Sequence, residues 1–328
     1  MTAVVYTARK TVCIQTGMAN VVEIVEVSPR DGLQNESTLV ATTDKIALVE
    51  RLIGIGARRI EVASFVNPRR VPQMADAEAV IAGLPDVPQV RYTALCLNLR
   101  GIERAIATRK GARGVDEAGC VLVATDRFGI VNQGQTVFEG IAANRAMIAS
   151  ARSAGLRAQV TIAASFGCPY EGAVAPADVL DLAEAMAEAG AEEIAFADTI
   201  GVAVPTQVGE LVERAFERLG SGFPLRVHLH DTRGMAPANG WAAYQAGCRT
   251  FDSALGGLGG CPFAPGAAGN VATEELAYMF ARSGVDCGIE LDAALAANAW
   301  FAGVMGRVLP SKVGRAGDFK IVREREAA

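Results

Sequence analysis

The sequence predicts a single (β/α)8 barrel, and three observations carry that prediction. About eight short apolar runs alternate with helical patterns along the chain. Such alternation, at this count, reads as a parallel sheet closed on itself. A helix-stop signature also recurs in "GIGARRIEVASF", "EAGAEEIAFADT" and "QAGCRTFDSALGG". In each, a glycine ends a helical stretch, and one small and one or two polar residues lead into an apolar strand. That is the short αβ link of βα units. Finally, the polar residues gather at the carboxyl ends of the predicted strands, where barrels of this kind carry their chemistry.

Taken in order, the strands fall near residues 22–29, 59–65, 90–97, 119–124, 158–164, 193–198, 226–230 and 250–254. The helical patterns between them include "TTDKIALVERLIGIG" and "PADVLDLAEAMAEAG"; the second opens with Pro176, a good first-turn residue. A further helical stretch lies near 270–282, and 291–306 reads as an appended helix. No low-complexity linker interrupts the chain. Residues 1–328 are therefore expected to form one domain, with the barrel over about 21–283 and a C-terminal helical extension over about 284–328. A doubly wound open sheet is the structural alternative.

Composition narrows the functional classes. The chain is 51% hydrophobic and 20% charged, with a formal net charge of −5. That balance suits a globular protein and argues against nucleic acid or an anionic membrane as partner. No apolar run is long enough for a membrane span. The leader "MTAVVYTARKTVCIQTG" lacks an apolar signal core and is poor in Arg and Ser, so it reads as a short N-terminal extension, a hairpin, in a cytoplasmic protein. The seven cysteines are odd in number and contain no C-x-x-C pair, which excludes a disulfide framework.

The only two histidines, His228 and His230, stand in "LRVHLHDTRG". Random placement would give that spacing roughly 1 time in 160. On a strand, i and i+2 face the same way, so both imidazoles project together near the barrel mouth. That is half of a divalent metal site, the alternative being two core histidines with backbone or carboxylate partners. Asp31 and Asn270 are the oxygen-donor candidates at other strand ends. A mixed N/O set suits Mg, Mn, Co or Zn. Arg30, next to Asp31 in "EVSPRDGLQNE", offers a rigid fork to an oxyanion; the alternative for this pair is a surface ion pair. The stretch "GGLGGCPFAPGAAGN" has six glycines in fifteen residues and no Gly-Lys-Ser/Thr ending, so it is a lid candidate and not a P-loop. Cys261 in its middle is either a functional thiol or a small buried one.

Together, "VSPRDGLQNE", "IEVASFVNPRRVPQM", "GCPYEG", "DTIGV", "VHLHDT" and "GGLGGCPFAPGAAGNVATEEL" resemble the 3-hydroxy-3-methylglutaryl-CoA lyase family over roughly residues 22–279. The wider superfamily includes Claisen-type condensing synthases that share the H-x-H. The resemblance implies a divalent cation, Mg or Mn first with Zn or Co as alternatives, held by Asp31, His228, His230 and Asn270. It implies that Arg30 stabilises a thioester enolate, that Glu61 and Asp198 orient the metal-site residues and the substrate hydroxyl, and that Cys261 protonates the departing carbanion. Gln34, Asn132 and Thr199 are then expected at the substrate. The implied partner is an acyl-CoA, whose phosphates would need local basic groups such as Arg69 and Arg70, or Arg109, Lys110 and Arg113. An exposed appended helix would suit a homodimer.

Several positions depart from the family pattern: Ser37 after "QNE", Arg233 and Met235 in "HDTRGMAP", Gly134 in the strand-four loop "TDRFGIVNQGQT", and Ala268. The expected reaction is therefore cleavage of a 3-hydroxy-3-methylglutaryl-CoA-type thioester to acetyl-CoA and a keto acid. Citramalyl-CoA or a longer branched homologue stays open as the acyl group. A Claisen-type condensing enzyme and a non-catalytic metal- or acyl-CoA-binding barrel are the other readings. Only 58 residues follow Asn270, too few for the extra domain a synthase is expected to need.

Overall fold

The computed structural model describes residues 20–111, 113–260 and 269–319. The expected N-terminal hairpin, most of the glycine-rich stretch with Cys261, and the last nine residues lie outside these. Eight parallel strands close into a barrel in sequence order, and the first pairs with the last. They are β1 (Glu23–Glu26), β2 (Arg59–Ser64), β3 (Arg91–Leu95), β4 (Glu117–Val123), β5 (Arg157–Ala163), β6 (Glu193–Asp198), β7 (Leu225–Leu229) and β8 (Thr250–Ser253). The open-sheet alternative is thereby excluded. β2, β6 and β7 are buried along their whole length, as strands covered on both faces must be.

The helices are α1 (Thr42–Gly54), α2 (Ala77–Ala82), α3 (Leu99–Thr108), α4 (Asp126–Gln133), α5 (Val137–Ser153), α6 (Pro176–Glu188), α7 (Pro205–Leu219), α8 (Ala236–Gln245), α9 (Thr273–Arg282), α10 (Leu291–Met305) and α11 (Lys312–Ala316). Their ends follow local chemistry. Pro176 and Pro205 open α6 and α7, where a missing N–H costs nothing. Thr136 and Glu139 form a reciprocal capping box on α5. The stop after α1 needs glycine. Gly56 has φ +108, and a Cβ there would stand 1.9 Å from the Gly288 carbonyl oxygen.

The appended helix is present as α10, which packs its Ala294, Ala297 and Phe301 into the main core. The chain then returns to the barrel mouth, where the Ser311 amide donates to the Gly256 carbonyl at 2.9 Å.

Two readings change. The strand-four "loop" is the two-turn helix α4, held by buried Phe128 and stopped at Gly134 in the left-handed region. The proposed phosphate-binding set splits between opposite faces. Arg109 and Lys110 follow α3 and Arg113 precedes β4, so all three lie at the amino-terminal face of the barrel. Arg113 is committed there to Asp116 at 2.8 Å. Arg69 instead lines a cleft of about 560 Å³ at the carboxyl face with Arg100 and Arg104. No helix among the described residues is long and apolar enough to cross a membrane.

Candidate metal centre and active site

The site begins with how β1 ends. "SPRDG" turns through a single π-helical loop in which the Val27 carbonyl accepts from the amides of Arg30, Asp31 and Gly32 at 3.2, 2.8 and 3.2 Å. Such turns are rare and cluster at functional positions. This one carries Arg30 and Asp31 over the barrel mouth. Opposite them, β7 alternates Arg226, His228 and the following His230 toward the interior, as period-two geometry requires. His230 also bridges to Asn270, which brings the far end of the glycine-rich stretch beside β7.

The two imidazole Nε2 atoms face each other at 3.2 Å. Asp31 Oδ2 lies 3.9 Å from His228 Nε2 and 4.0 Å from His230 Nε2. Donors bonded to one ion at about 2.1 Å stand about 3 Å apart when adjacent and about 4.2 Å apart when opposite. The three observed spans fit those limits. Asn270 Nδ2 donates to Asp31 Oδ2 at 2.7 Å. Asn270 Oδ1 and His230 Nδ1 are buried with no hydrogen-bond partner among the described residues, and buried polar atoms are rarely left so. Asp31, His228 and His230 are the cluster of metal-ligating side chains found among the described residues. Gly259 (φ +104) lets the chain pass against them. A Cβ there would meet Asn270 Nδ2 at 2.4 Å and the Asp31 carbonyl oxygen at 3.1 Å.

The charge states match a cation site. Burial alone would raise the Asp31 carboxyl, but Arg30 and the two histidines overcome it and hold the group well below the usual carboxylate range. Burial and the neighbouring His228 push His230 down to about 4, leaving a neutral imidazole with a lone pair to donate. For His228, burial is outweighed by the hydrogen bond and charge of Asp252, so it moves up.

Arg30 is held on two sides. Its Nε donates to Glu61 Oε2 at 2.7 Å, Nη2 lies 2.6 Å from the same oxygen, and Nη1 reaches Asp31 Oδ1. Arginine has five N–H donors, so two remain for the cavity. Glu61, raised by burial against the pull of Arg30, thus orients the guanidinium. Asp198 accepts the amides of Val202 at 2.8 Å and Ala203 at 3.0 Å, one on each oxygen, shaping the turn after β6. In that turn Thr199 Oγ1 accepts the Ala164 amide at 2.9 Å. Ala164 has φ 58, the positive-φ non-glycine among the described residues, and strained backbone of this kind collects at functional sites.

One cavity of about 170 Å³ joins these groups. Arg30, Asp31, Gln34, Glu61, Asn132, Thr199, His228 and His230 all line it, and Gln34 Oε1 is buried there without a partner. Asp198 and Asn270 stand behind the wall rather than in it. Cys261 lies outside the described residues, but Gly260, its chain neighbour, lines the cavity, and its carbonyl is held by Asn35 Nδ2 at 2.7 Å. Sequence reasoning missed Asp252, Arg226, Phe128, Gln133 and Thr161, which complete the wall and floor. For Arg226 a signal existed, since strand alternation from the two histidines points it inward.

Several known proteins are similar to this chain over most of its length. The model of the HMGL-like family matches residues 21–300. The chain is 43% identical over 306 residues to an (R)-citramalyl-CoA lyase of Chloroflexus aurantiacus, covering 90% of this chain and 95% of that protein. It is 38% identical over 301 residues to the cytoplasmic 3-hydroxy-3-methylglutaryl-CoA lyase of Rattus norvegicus, covering 92% and 86%. Among solved structures, an HMG-CoA lyase from Acinetobacter baumannii in complex with coenzyme A and 3-methylmalate superposes with a TM-score of 0.88 at 36% identity, covering 94% of this chain and 99% of the other.

Proposed function

Because this chain belongs to the HMGL-like family, we propose that it is a divalent-metal-dependent carbon–carbon lyase cleaving a 3-hydroxy-3-methylglutaryl-CoA-type thioester to acetyl-CoA and acetoacetate. The observation that carries this reading is the meeting of Asp31, His228 and His230 with the Glu61-held Arg30 in one cavity. Asp31, both histidines and Asn270 would hold the ion, Mg or Mn first. A bound divalent ion would supply the Lewis acidity that lets a tertiary hydroxyl give up its proton to water near neutral pH, water later returning a proton to the spent Cys261 thiolate. The carbon bearing that oxygen then becomes a ketone as its bond to the thioester methylene breaks. The bond's electrons pass into the thioester enolate. The two free N–H groups of Arg30 meet the charge growing on the enolate oxygen, in a position fixed beforehand by Glu61. Cys261 hands its thiol proton to the enolate carbon, giving acetyl-CoA. Thr199, Gln34 and Asn132 orient the acyl group along the cavity wall.

A second reading is supported by the 43% identity to the (R)-citramalyl-CoA lyase. The bond broken and the residues used are the same, and the keto acid is pyruvate. A direct assay separates them: acetyl-CoA release from 3-hydroxy-3-methylglutaryl-CoA and from (R)-citramalyl-CoA, with Mg²⁺ or Mn²⁺ and after chelation. Metal-dependent turnover is expected, and the substrate with the higher kcat/KM names the acyl group. No release from either would overturn the proposal. The basic cleft with Arg69 is the place to seek the CoA phosphates, and a cytoplasmic homodimer remains the working assembly.

A further inference from the structure

Barrel interiors of this class are normally filled by branched aliphatic side chains. Here a layer beneath the cavity is ionic. Arg59, fully buried, donates to Glu117 at 2.7 Å and through two nitrogens to Glu193 at 2.7 and 2.8 Å. Arg226 Nε donates to the same Glu193 at 2.8 Å. Its Nη1 donates to both oxygens of Asp252, and its Nη2 to Gln159 Oε1. Asp252 Oδ2 then meets His228 Nδ1 at 2.9 Å. The lattice thus runs from the barrel floor to the ring whose other nitrogen faces the metal position.

Desolvating these ions is costly, and a well-packed aliphatic layer is often as stable or more so. Packing alone therefore gives no reason for a charged layer that ends on His228. We infer that Arg226 and Asp252 are positioning residues of the metal centre: Arg226 clamps the Asp252 carboxylate, which accepts a hydrogen bond from the Nδ1–H of His228 and so leaves Nε2 as a lone-pair donor aimed at the ion. The inference rests on the proposed metal-dependent function. Its physical basis is that a ligating imidazole is fixed in tautomer and orientation by what its second nitrogen donates to. Asp252 is suited to accept only. Both its oxygens already take the Arg226 guanidinium, and the one that meets His228 Nδ1 is among them. Arg226 spends its five N–H donors on Glu193, Asp252, Gln159 and Thr161, so it acts through Asp252 rather than on the substrate.

The test uses the two histidines as reporters, since they are the only ones in the chain. Long-range ¹H–¹⁵N spectra of the metal-free full-length protein, at a pH where both rings are neutral, should show the His228 proton on Nδ1. Asp252→Asn should shift part of that ring to the Nε2-protonated form and weaken Mn²⁺ binding, read by EPR, by about 10–100-fold. Arg226→Lys keeps the charge but loses the fork; it should weaken Mn²⁺ binding by a smaller factor, and it decides the matter if Asp252→Asn does not fold. A purely structural lattice predicts a lowered Tm with wild-type Mn²⁺ affinity in the folded variants, and that result would overturn the inference. So would a wild-type His228 ring protonated on Nε2. A wild-type protein that takes up no Mn²⁺ would instead overturn the metal reading itself.

Discussion

Arg30 shows how one side chain can serve the site twice. Its ion pair with Glu61 neutralises a buried carboxyl, and its unused N–H groups face the cavity. In the proposed mechanism Arg30→Gln removes the permanent cation that faces an enolate charge developing only as the bond breaks. Steady-state kinetics should show kcat reduced by about 10²–10³ with a much smaller change in KM. A large rise in KM at normal kcat would make Arg30 a ground-state binder. Cys261→Ser keeps the shape of the donor but replaces a thiol, with an ordinary pKa of about 8.5, by a far weaker acid. Turnover should fall by about 10²–10⁴ while Mn²⁺ affinity is unchanged. Near-wild-type turnover would remove the thiol from the chemistry. Arg30 was legible in the sequence as a cavity residue because a charge at a predicted strand end is hard to explain by packing. Asp252 was not. Its meaning depends on the pairing of β7 with β8, and pairing register is absent from a one-dimensional pattern. Asp198, expected near the substrate hydroxyl, also accepts two amides of the turn after β6, a structural duty the sequence did not announce.

At the scale of elements, the strands and helices were readable because parallel strands buried on both faces form apolar runs with glycine stops. The π-helical turn at Ser28–Gly32 and the helix α4 were not, since each follows from contacts that local sequence does not encode. The junction of β8, α9 and α10 carries a further consequence. Glu274, buried in α9, accepts the Gly256 amide on both carboxyl oxygens at 3.1 Å, and Asn298 of α10 also donates to it. Burial raises this carboxyl from about 4.5 to about 7, against the pull of those donors. Between those values the native protein holds a proton that the unfolded chain has released. Rising pH through that window therefore favours unfolding, by at most about 3 kcal/mol, and the loss levels off above it. Denaturant titrations across the window should show wild-type stability declining more steeply than that of Glu274→Gln, which has no proton to lose. Parallel pH profiles for the two proteins would refute the assignment.

For the whole molecule, barrel closure is the feature with the widest reach. β1 and β8 are partners in space though more than two hundred residues separate them, with Glu23 beside Thr250 and Glu26 beside Ser253. Asp31 leaves the first of these strands, while His228, His230 and Asn270 come from the last third of the chain. Contacts between such distant segments form late, because the loop entropy must be met before they return anything. The cation centre therefore has no existence in a half-synthesised chain. A ribosome-bound fragment ending before β7 carries Arg30 and Asp31 but neither imidazole, and it has no means of recruiting metal to guide its own folding. An ion bound there would meet a barrel already closed, and its binding energy would add to the durability of the native state rather than to the speed of reaching it.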